Sequence, residues 1–101
     1  MYEYKNPYII DFTNLQHYYD IHRIIKKALD LPDYYGENWD AFWDCLREMV
    51  DEEILNIQIL GFNNFKNRYP DDAKIMANLL EDMRHFNQDK YVKNVFIKYV
   101  N

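Results

Sequence analysis

Hydrophobic and polar positions in the first third of the chain predict a strand followed by a helix. The run at residues 8–12 is short and mostly apolar, which is typical of a buried strand. Between residues 21 and 29, apolar side chains recur at the spacing of a core-facing helix, namely Ile21, Ile24, Ile25, Ala28 and Leu29. Asp20 is a suitable N-cap for this helix, and Pro32 disfavours helical geometry at the residue before it.

A second helix is predicted from about Trp39 to Val50, with Asn38 as its N-cap. At 100° per residue, one face is apolar and consists of Phe42, Cys45, Leu46 and Met49. The opposite face is charged and consists of Asp40, Asp44, Arg47 and Asp51. Trp43 lies at the border between the two faces. The helix is therefore predicted to bury one side and to expose an acidic one.

The second half of the chain predicts two more strands and one long helix. Residues 54–60 read as a strand that ends at Gly61, and residues 63–70 as a loop or a short helical turn. Two aspartates, Asp71 and Asp72, begin the long helix, where the helix dipole favours them. Its predicted buried positions are Ile75, Met76, Leu79, Leu80 and Met83. Residues 92–100 form the last predicted strand.

The order of these elements indicates the fold class. Long connections separate successive strands, and connections of this length favour parallel pairing with helices packed on the sheet. The predicted class is α/β, with a small three-stranded parallel sheet and helices packed on it. A chain of 101 residues fits a single domain, residues 1–101.

Composition argues against several kinds of site. The single cysteine, Cys45, excludes an internal disulfide and a multi-cysteine zinc site, and its place on an apolar face indicates a small core residue. His17, His22 and His85 have no metal-ligand spacing, and His22 is predicted to be solvated or locally hydrogen-bonded. The chain also has no glycine-rich phosphate loop. We therefore expect neither a metal nor a cofactor.

Hydropathy and charge limit the location and the partners. No window approaches the roughly 20 apolar residues of a membrane span, and the start has neither a basic leader nor an apolar signal region. We therefore expect a cytoplasmic protein that does not bind membranes. The net charge of −5 argues against binding to nucleic acid, whose phosphates require a cationic surface.

The negative charge is concentrated in one segment. Residues 33–53 contain eight acidic residues and one basic residue, so they carry −7, while the rest of the chain carries +2. A run of charged residues often forms only the solvent-exposed face of a helix, without a binding role. Here, however, the acids are interleaved with Tyr34, Tyr35, Trp39 and Trp43. Aromatic rings among carboxylates are typical of a surface that docks a basic protein, although the burial of Tyr35, Trp39 or Trp43 in the core is the alternative.

Catalysis by this segment is a weaker hypothesis. Asp40 and Asp44 lie one helical turn apart and could share acid–base work. Such a pair would need a deep pocket between the two carboxylates, and the sequence supplies no matched general acid. We predict that the protein is not an enzyme.

Residues 31–46, LPDYYGENWDAFWDCL, resemble the signature of the barstar family of intracellular ribonuclease inhibitors. The preceding pairs Ile21-His22 and Lys26-Lys27 resemble it too. The resemblance is strong in the first half of the chain and only topological in the second. It implies three parallel strands with helices packed on them. It also implies that a loop and the second helix block the active site of a small, basic, barnase-like ribonuclease of the secreted type.

The resemblance also implies a role for each of five residues at this interface. Tyr34 matches a loop tyrosine that packs against the catalytic centre of the nuclease. Asp44 matches an aspartate that takes the place of a substrate phosphate, and Asp40 matches a second contacting carboxylate. Trp43 matches a tryptophan at the edge of the contact, and Asp82 stands where a contacting glutamate is expected. This role requires Asp40 and Asp44 to be exposed and not neutralised by neighbouring Lys or Arg.

Several residues depart from the family pattern, among them Asp82, which is one methylene shorter than the expected glutamate, and the run Asp51-Glu52-Glu53, which is more acidic than expected. Where family members have Gly-Trp late in the second helix, this chain has Glu48-Met49, which removes an aromatic contact and adds a charge. The alternative hypothesis is therefore an acidic module of the same fold that binds a different basic partner, such as another toxin nuclease or a regulated protein. In either case we expect the free chain to be a monomer.

Overall fold

The part of the chain that the structure describes contains three parallel strands and four helices. The structure is a computed structural model, and it describes residues 7–50, 55–86 and 95–100. In chain order the elements are β1 (Tyr8–Asp11), α1 (Asp20–Ala28), α2 (Trp39–Val50), β2 (Leu55–Leu60), α3 (Phe62–Arg68), α4 (Pro70–Phe86) and β3 (Val95–Val100). The predicted strand residues 54 and 92–94 lie outside the described residues, as do Asp51 of the acidic face and all of residues 51–53.

The sheet has the predicted α/β arrangement, with β2 in the centre and both neighbours parallel to it. Ile57 pairs with Tyr8 and Ile59 with Ile10, and all four side chains are buried on one face of the sheet. The helices cover this face. Ile9, next to two of these positions, points to the other face and is exposed. The period-2 alternation of the strands therefore decides on which side the core forms.

The start of α1 differs from the prediction. Tyr19 is the N-cap and Asp20 is the first helical residue, so the prediction of Asp20 as the N-cap is wrong. Neither residue makes a side-chain capping bond, and the Asp20 carboxylate instead lies 3.9 Å from the guanidinium of Arg23. A carboxylate in the first turn still interacts favourably with the helix dipole.

The start of α2 is as predicted. Asn38 Oδ1 accepts a hydrogen bond from the backbone N–H of Ala41 at 2.8 Å, and Asn38 Nδ2 donates to the carbonyl oxygen of Gly36 at 3.1 Å. One side chain thus caps the helix and fixes the loop before it. The apolar face of α2 is buried in the core, as predicted, through Phe42, Cys45, Leu46 and Met49.

A helix, α3, stands where a loop or a short helical turn is predicted. It follows Gly61, whose φ of 65° lies in the left-handed region and whose added Cβ would lie 2.4 Å from the backbone nitrogen of Thr13. Only glycine fits this turn without strain. Phe65 then packs on Phe12 with ring centroids 4.3 Å apart, and Asn64 Nδ2 donates to the Phe12 carbonyl oxygen at 2.8 Å. These contacts hold α3 against the end of β1.

The long helix α4 has two apolar stripes, whereas the hydrophobic spacing predicts a single buried one. Met76, Leu80 and Met83 are fully buried, as predicted. Ile75 is 41% exposed, so its predicted burial is wrong, and Leu79 is only partly buried. Ile75 and Leu79 lie one turn apart and face α2 rather than the sheet. This second stripe forms one wall of the candidate site.

Candidate partner-binding site

A groove lies between α2 and α4. Its volume is about 260 Å³, and it is lined by Trp39, Asp40, Trp43, Ile75, Leu79 and Asp82. The floor is aromatic and aliphatic. Asp40 on α2 and Asp82 on α4 are both exposed, and each contributes a carboxylate to the wall. The groove therefore combines apolar contact area with negative charge from two helices.

A side-chain hydrogen bond joins the two helices where they begin. Trp39 Nε1 donates to Asp72 Oδ1 at 2.9 Å, and the Trp39 ring lies edge-on to Phe42 with centroids 5.4 Å apart. Because Trp39 and Asp72 both belong to first turns, the helices start side by side. The bond fixes the width of the groove at this end.

Asp44 is exposed and forms an ion pair with Arg47. Its Oδ1 lies 2.7 Å from a terminal nitrogen of Arg47, and the side chains are 65% and 47% exposed. The prediction that Asp44 is exposed is confirmed, and the prediction that no neighbouring cation pairs with it is wrong. The cause is the i, i+3 spacing on an exposed helix face. Asp40 is exposed and makes no ion pair with any residue within the described ranges.

The loop between α1 and α2 presents Tyr34 and anchors Tyr35. Tyr34 is 78% exposed, whereas Tyr35 is buried, which confirms the core interpretation of Tyr35. The Tyr35 hydroxyl lies 2.6 Å from Nδ1 of His22, within hydrogen-bonding distance. Burial raises the pKa of Tyr35. The anchored tyrosine thus fixes the backbone from which the neighbouring Tyr34 projects.

His22 is hydrogen-bonded to Tyr35, which is one of the two predicted states. It is half-buried and therefore not fully solvated. Its ring lies 4.4 Å from the Trp39 ring, centroid to centroid. Burial lowers the pKa of His22, and the carboxylates of Asp72 and Glu37 partly oppose this shift. His22 therefore connects the loop, through Tyr35, to the groove wall, through Trp39.

The lowered pKa of His22 predicts a pH dependence of stability. In the unfolded chain, a histidine has a pKa of about 6.5. Because the native pKa is lower, the unfolded chain binds more protons at mildly acidic pH, and the free energy of unfolding falls as the pH drops below about 6.5. Urea unfolding of the parent and of His22→Gln between about pH 7.5 and pH 5.5 measures this. The free energy of unfolding should fall less for His22→Gln than for the parent as the pH drops. An equal fall in both proteins would contradict the assignment of the pH dependence to His22.

Other candidate chemistry within the described residues is limited. Cys45 is buried, and burial raises the pKa of its thiol, in agreement with a small core residue. No group of three or more His, Cys, Asp or Glu side chains in the described ranges is placed to hold a metal ion. No helix among these residues has the length and apolar character needed to span a membrane. The groove wall includes Asp40 but not Asp44, so these two carboxylates do not share a pocket there.

The structure brings three of the five predicted interface residues into one groove. These are Asp40, Trp43 and Asp82, and Trp43 also packs partly against the core. Tyr34 and Asp44 are exposed but do not line the groove. Sequence reasoning missed the contribution of Ile75 and Leu79. Their i, i+4 spacing beside the core stripe of α4 is the signal that could have identified them.

Comparison with known proteins shows the family of this chain. The model of the family described as Barstar (barnase inhibitor) matches residues 6–98. A Bacillus subtilis (strain 168) protein named "Putative ribonuclease inhibitor YrdF" is 42% identical over 67 residues, 64% of this chain and 74% of that protein. Reticulocyte-binding protein 2 of Plasmodium vivax (strain Belem) is 30% identical over 101 aligned residues, 88% of this chain but only 3% of that protein. Since the family model covers most of the sequence, the chain belongs to the barstar family.

Proposed function

We propose that this protein inhibits a small, basic, barnase-like ribonuclease by covering its active site with the loop of Tyr34, the exposed face of α2 and the wall of α4. Membership of the barstar family and the name of the Bacillus subtilis relative support a ribonuclease as the partner. In this proposal the protein is a binding protein rather than an enzyme. It acts as a monomer in the cytoplasm, where it protects the cell from the nuclease.

The observation that carries the proposal is the placement of three exposed carboxylates on one surface. Asp40 and Asp82 line a groove with an apolar floor, and Asp44 lies one helical turn from Asp40. A ribonuclease must hold RNA phosphates, so its active site is cationic. Carboxylates facing cations steer the encounter, and aromatic side chains supply contact area.

In this arrangement Asp44 replaces a phosphate of the substrate. Its partner in the free protein, Arg47, is exposed. Exposed ion pairs contribute only about 0.2–1 kcal/mol. A desolvated cationic phosphate site offers the carboxylate a stronger interaction, because charge-assisted hydrogen bonds strengthen as water is excluded. The exposed pair with Arg47 therefore does not neutralise Asp44 for binding, because Asp44 can exchange Arg47 for the cations of the nuclease at small cost.

The direct test of the function is an RNA cleavage assay. The purified protein is titrated into a guanyl-preferring microbial ribonuclease of the barnase type, and the rate of RNA cleavage is followed. The proposal predicts stoichiometric loss of activity that excess RNA relieves. Full activity of every such enzyme at saturating protein would contradict the proposal.

Removal of Arg47 should accelerate binding. Arg47→Ala frees the Asp44 carboxylate and makes the acidic surface more negative by one charge. We expect the association rate constant with the ribonuclease to rise about two- to threefold at low salt, because steering increases with the local field. Stopped-flow mixing measures the rate constant. The matched control is Arg84→Ala, which removes a cation that is paired in the same way with Glu81 on α4. An equal increase of the association rate constant in both variants would mean that net charge alone matters.

A different basic partner is the second candidate, and it has a specific observation in its favour. Met49 is buried with 7% of its surface exposed, and Glu48 beside it is exposed. At these positions the surface offers a partner a carboxylate rather than a ring. Binding constants for a set of basic nucleases, including barnase-type enzymes, distinguish the candidates. Tight binding to a nuclease outside the barnase type, with none to that type, would favour the second candidate.

A further inference from the structure

An exposed tyrosine stands at the end of the groove where α2 and α4 begin. Tyr18, in the connection before α1, is 60% exposed. Its hydroxyl donates to Asp72 Oδ1 at 3.3 Å, and the same oxygen accepts the hydrogen bond of Trp39 Nε1 at 2.9 Å. A single carboxylate oxygen thus joins Tyr18 to a residue that lines the groove. Asp72 therefore links the Tyr18 ring to the wall of the groove.

The Tyr18 ring is held in place although it is exposed. It lies edge-on to the Tyr69 ring, with centroids 5.5 Å apart. The Tyr69 hydroxyl donates in turn to the carbonyl oxygen of Gln16 at 2.9 Å, which ties the C-cap residue of α3 to the chain before α1. A ring that is fixed at its edge and at its hydroxyl loses little conformational entropy when a partner covers it.

The surroundings of Tyr18 favour a cationic partner group. Asp72 begins the α4 stripe that continues through Ile75, Leu79 and Asp82, all at helical spacing on one side of the helix. The negative charge of Asp72 is the main cause that raises the pKa of Tyr18. An aromatic face beside a carboxylate attracts a guanidinium or an ammonium group through both its quadrupole and the adjacent charge.

We propose that the partner-binding surface extends beyond the groove, past Trp39, and that Tyr18 contacts an arginine or lysine side chain on the rim of the bound ribonuclease. This extension rests on the proposed function. It assigns a contact to the chain before α1, outside the loop and helix segment of residues 31–46. The occupant is the same basic ribonuclease, since Tyr18 is linked to the groove wall through Asp72 and its surroundings match a positive rim.

The chain offers a matched control next to Tyr18. Tyr19 is 59% exposed, and its ring contacts are with His17, stacked at 5.2 Å, and with the guanidinium of Arg23 at 5.2 Å. Tyr18→Ala and Tyr19→Ala therefore remove nearly equal exposed aromatic surface from two adjacent residues. The dissociation rate constant from a barnase-type ribonuclease is measured for both, after circular dichroism has shown that each variant is folded.

Tyr18→Ala should raise the dissociation rate constant about five- to tenfold, and Tyr19→Ala less than about twofold. Tyr18→Phe keeps the ring but not the hydrogen bond to Asp72. Its dissociation rate constant should lie between those of the parent and of Tyr18→Ala. Equal rate constants for the parent and Tyr18→Ala would overturn the extension. Asp44→Asn is measured in parallel: if it weakens binding while Tyr18→Ala does not, only the extension fails. If the parent binds no such ribonuclease, the proposed function fails.

Discussion

Asp44→Asn is expected to weaken the complex with a barnase-type ribonuclease by about 30-fold or more. The substitution keeps the shape of the side chain and removes its charge, so the cationic phosphate site would face a neutral amide. Central, desolvated residues of this kind typically contribute at least about 2 kcal/mol to binding, and leaving buried cations without a counter-charge costs more than the loss of an exposed pair. The equilibrium dissociation constant is measured by titration calorimetry or by inhibition of RNA cleavage.

Asp11→Asn is the control for this variant. Asp11 is exposed at the end of β1, beside its sheet partner Leu60, and Asp11 Oδ1 accepts a hydrogen bond from the backbone N–H of Thr13 at 2.9 Å. An asparagine preserves that acceptor, and the two variants change the net charge equally. We expect the dissociation constant of Asp11→Asn to stay within about twofold of the parent value. A similar loss in both variants would mean that overall charge, and not the position of Asp44, governs binding.

The association rate constant is expected to fall at least tenfold as the ionic strength rises from about 0.05 M to about 0.5 M. Steered association between oppositely charged surfaces depends steeply on salt, because exposed charges are screened over roughly 10 Å at 0.1 M. The dissociation rate constant should change much less, since it reports contacts already made. Stopped-flow mixing at several salt concentrations separates the two constants.

The double variant Asp40→Asn/Asp82→Asn provides the comparison for the salt series. Both carboxylates line the groove, and both are exposed. Without them the association rate constant should be lower at low salt and should depend less steeply on ionic strength. Identical slopes for the parent and the double variant would show that these two carboxylates take no part in steering.

Local signals in the sequence predicted much of the structure. The capping of α2 by Asn38 and its buried apolar face follow from side-chain chemistry and hydrophobic period, which act within a few residues. The parallel sheet follows from the length of the connections between the strands. The exposure of Asp40 and Asp44 follows from the same period. The wrong prediction of Asp20 as the N-cap also has a local cause. A carboxylate is favourable both at the N-cap and in the first turn of a helix, so its presence does not distinguish the two positions.

The groove itself depends on tertiary pairing, which the hydrophobic period does not specify. The hydrophobic period places Ile75 in the core, because a helix with two apolar stripes resembles one with a single broad stripe until its neighbour is known. The bond between Trp39 and Asp72 joins residues 33 positions apart, and it fixes which sides of α2 and α4 face each other. The pairing of Asp44 with Arg47 is different, since its i, i+3 spacing is visible in the sequence and is sufficient to predict the pair.

Competition with a nucleotide tests most directly whether the carboxylate surface occupies the phosphate site of the ribonuclease. A nucleoside 3′-monophosphate is bound to the active site of a barnase-type enzyme, and the apparent dissociation constant of the protein is measured as the nucleotide concentration increases. If Asp44 takes the place of a phosphate, the apparent constant rises in proportion to the nucleotide concentration, and no ternary complex forms. A constant that is independent of the nucleotide, with both molecules bound to one enzyme, would contradict this account.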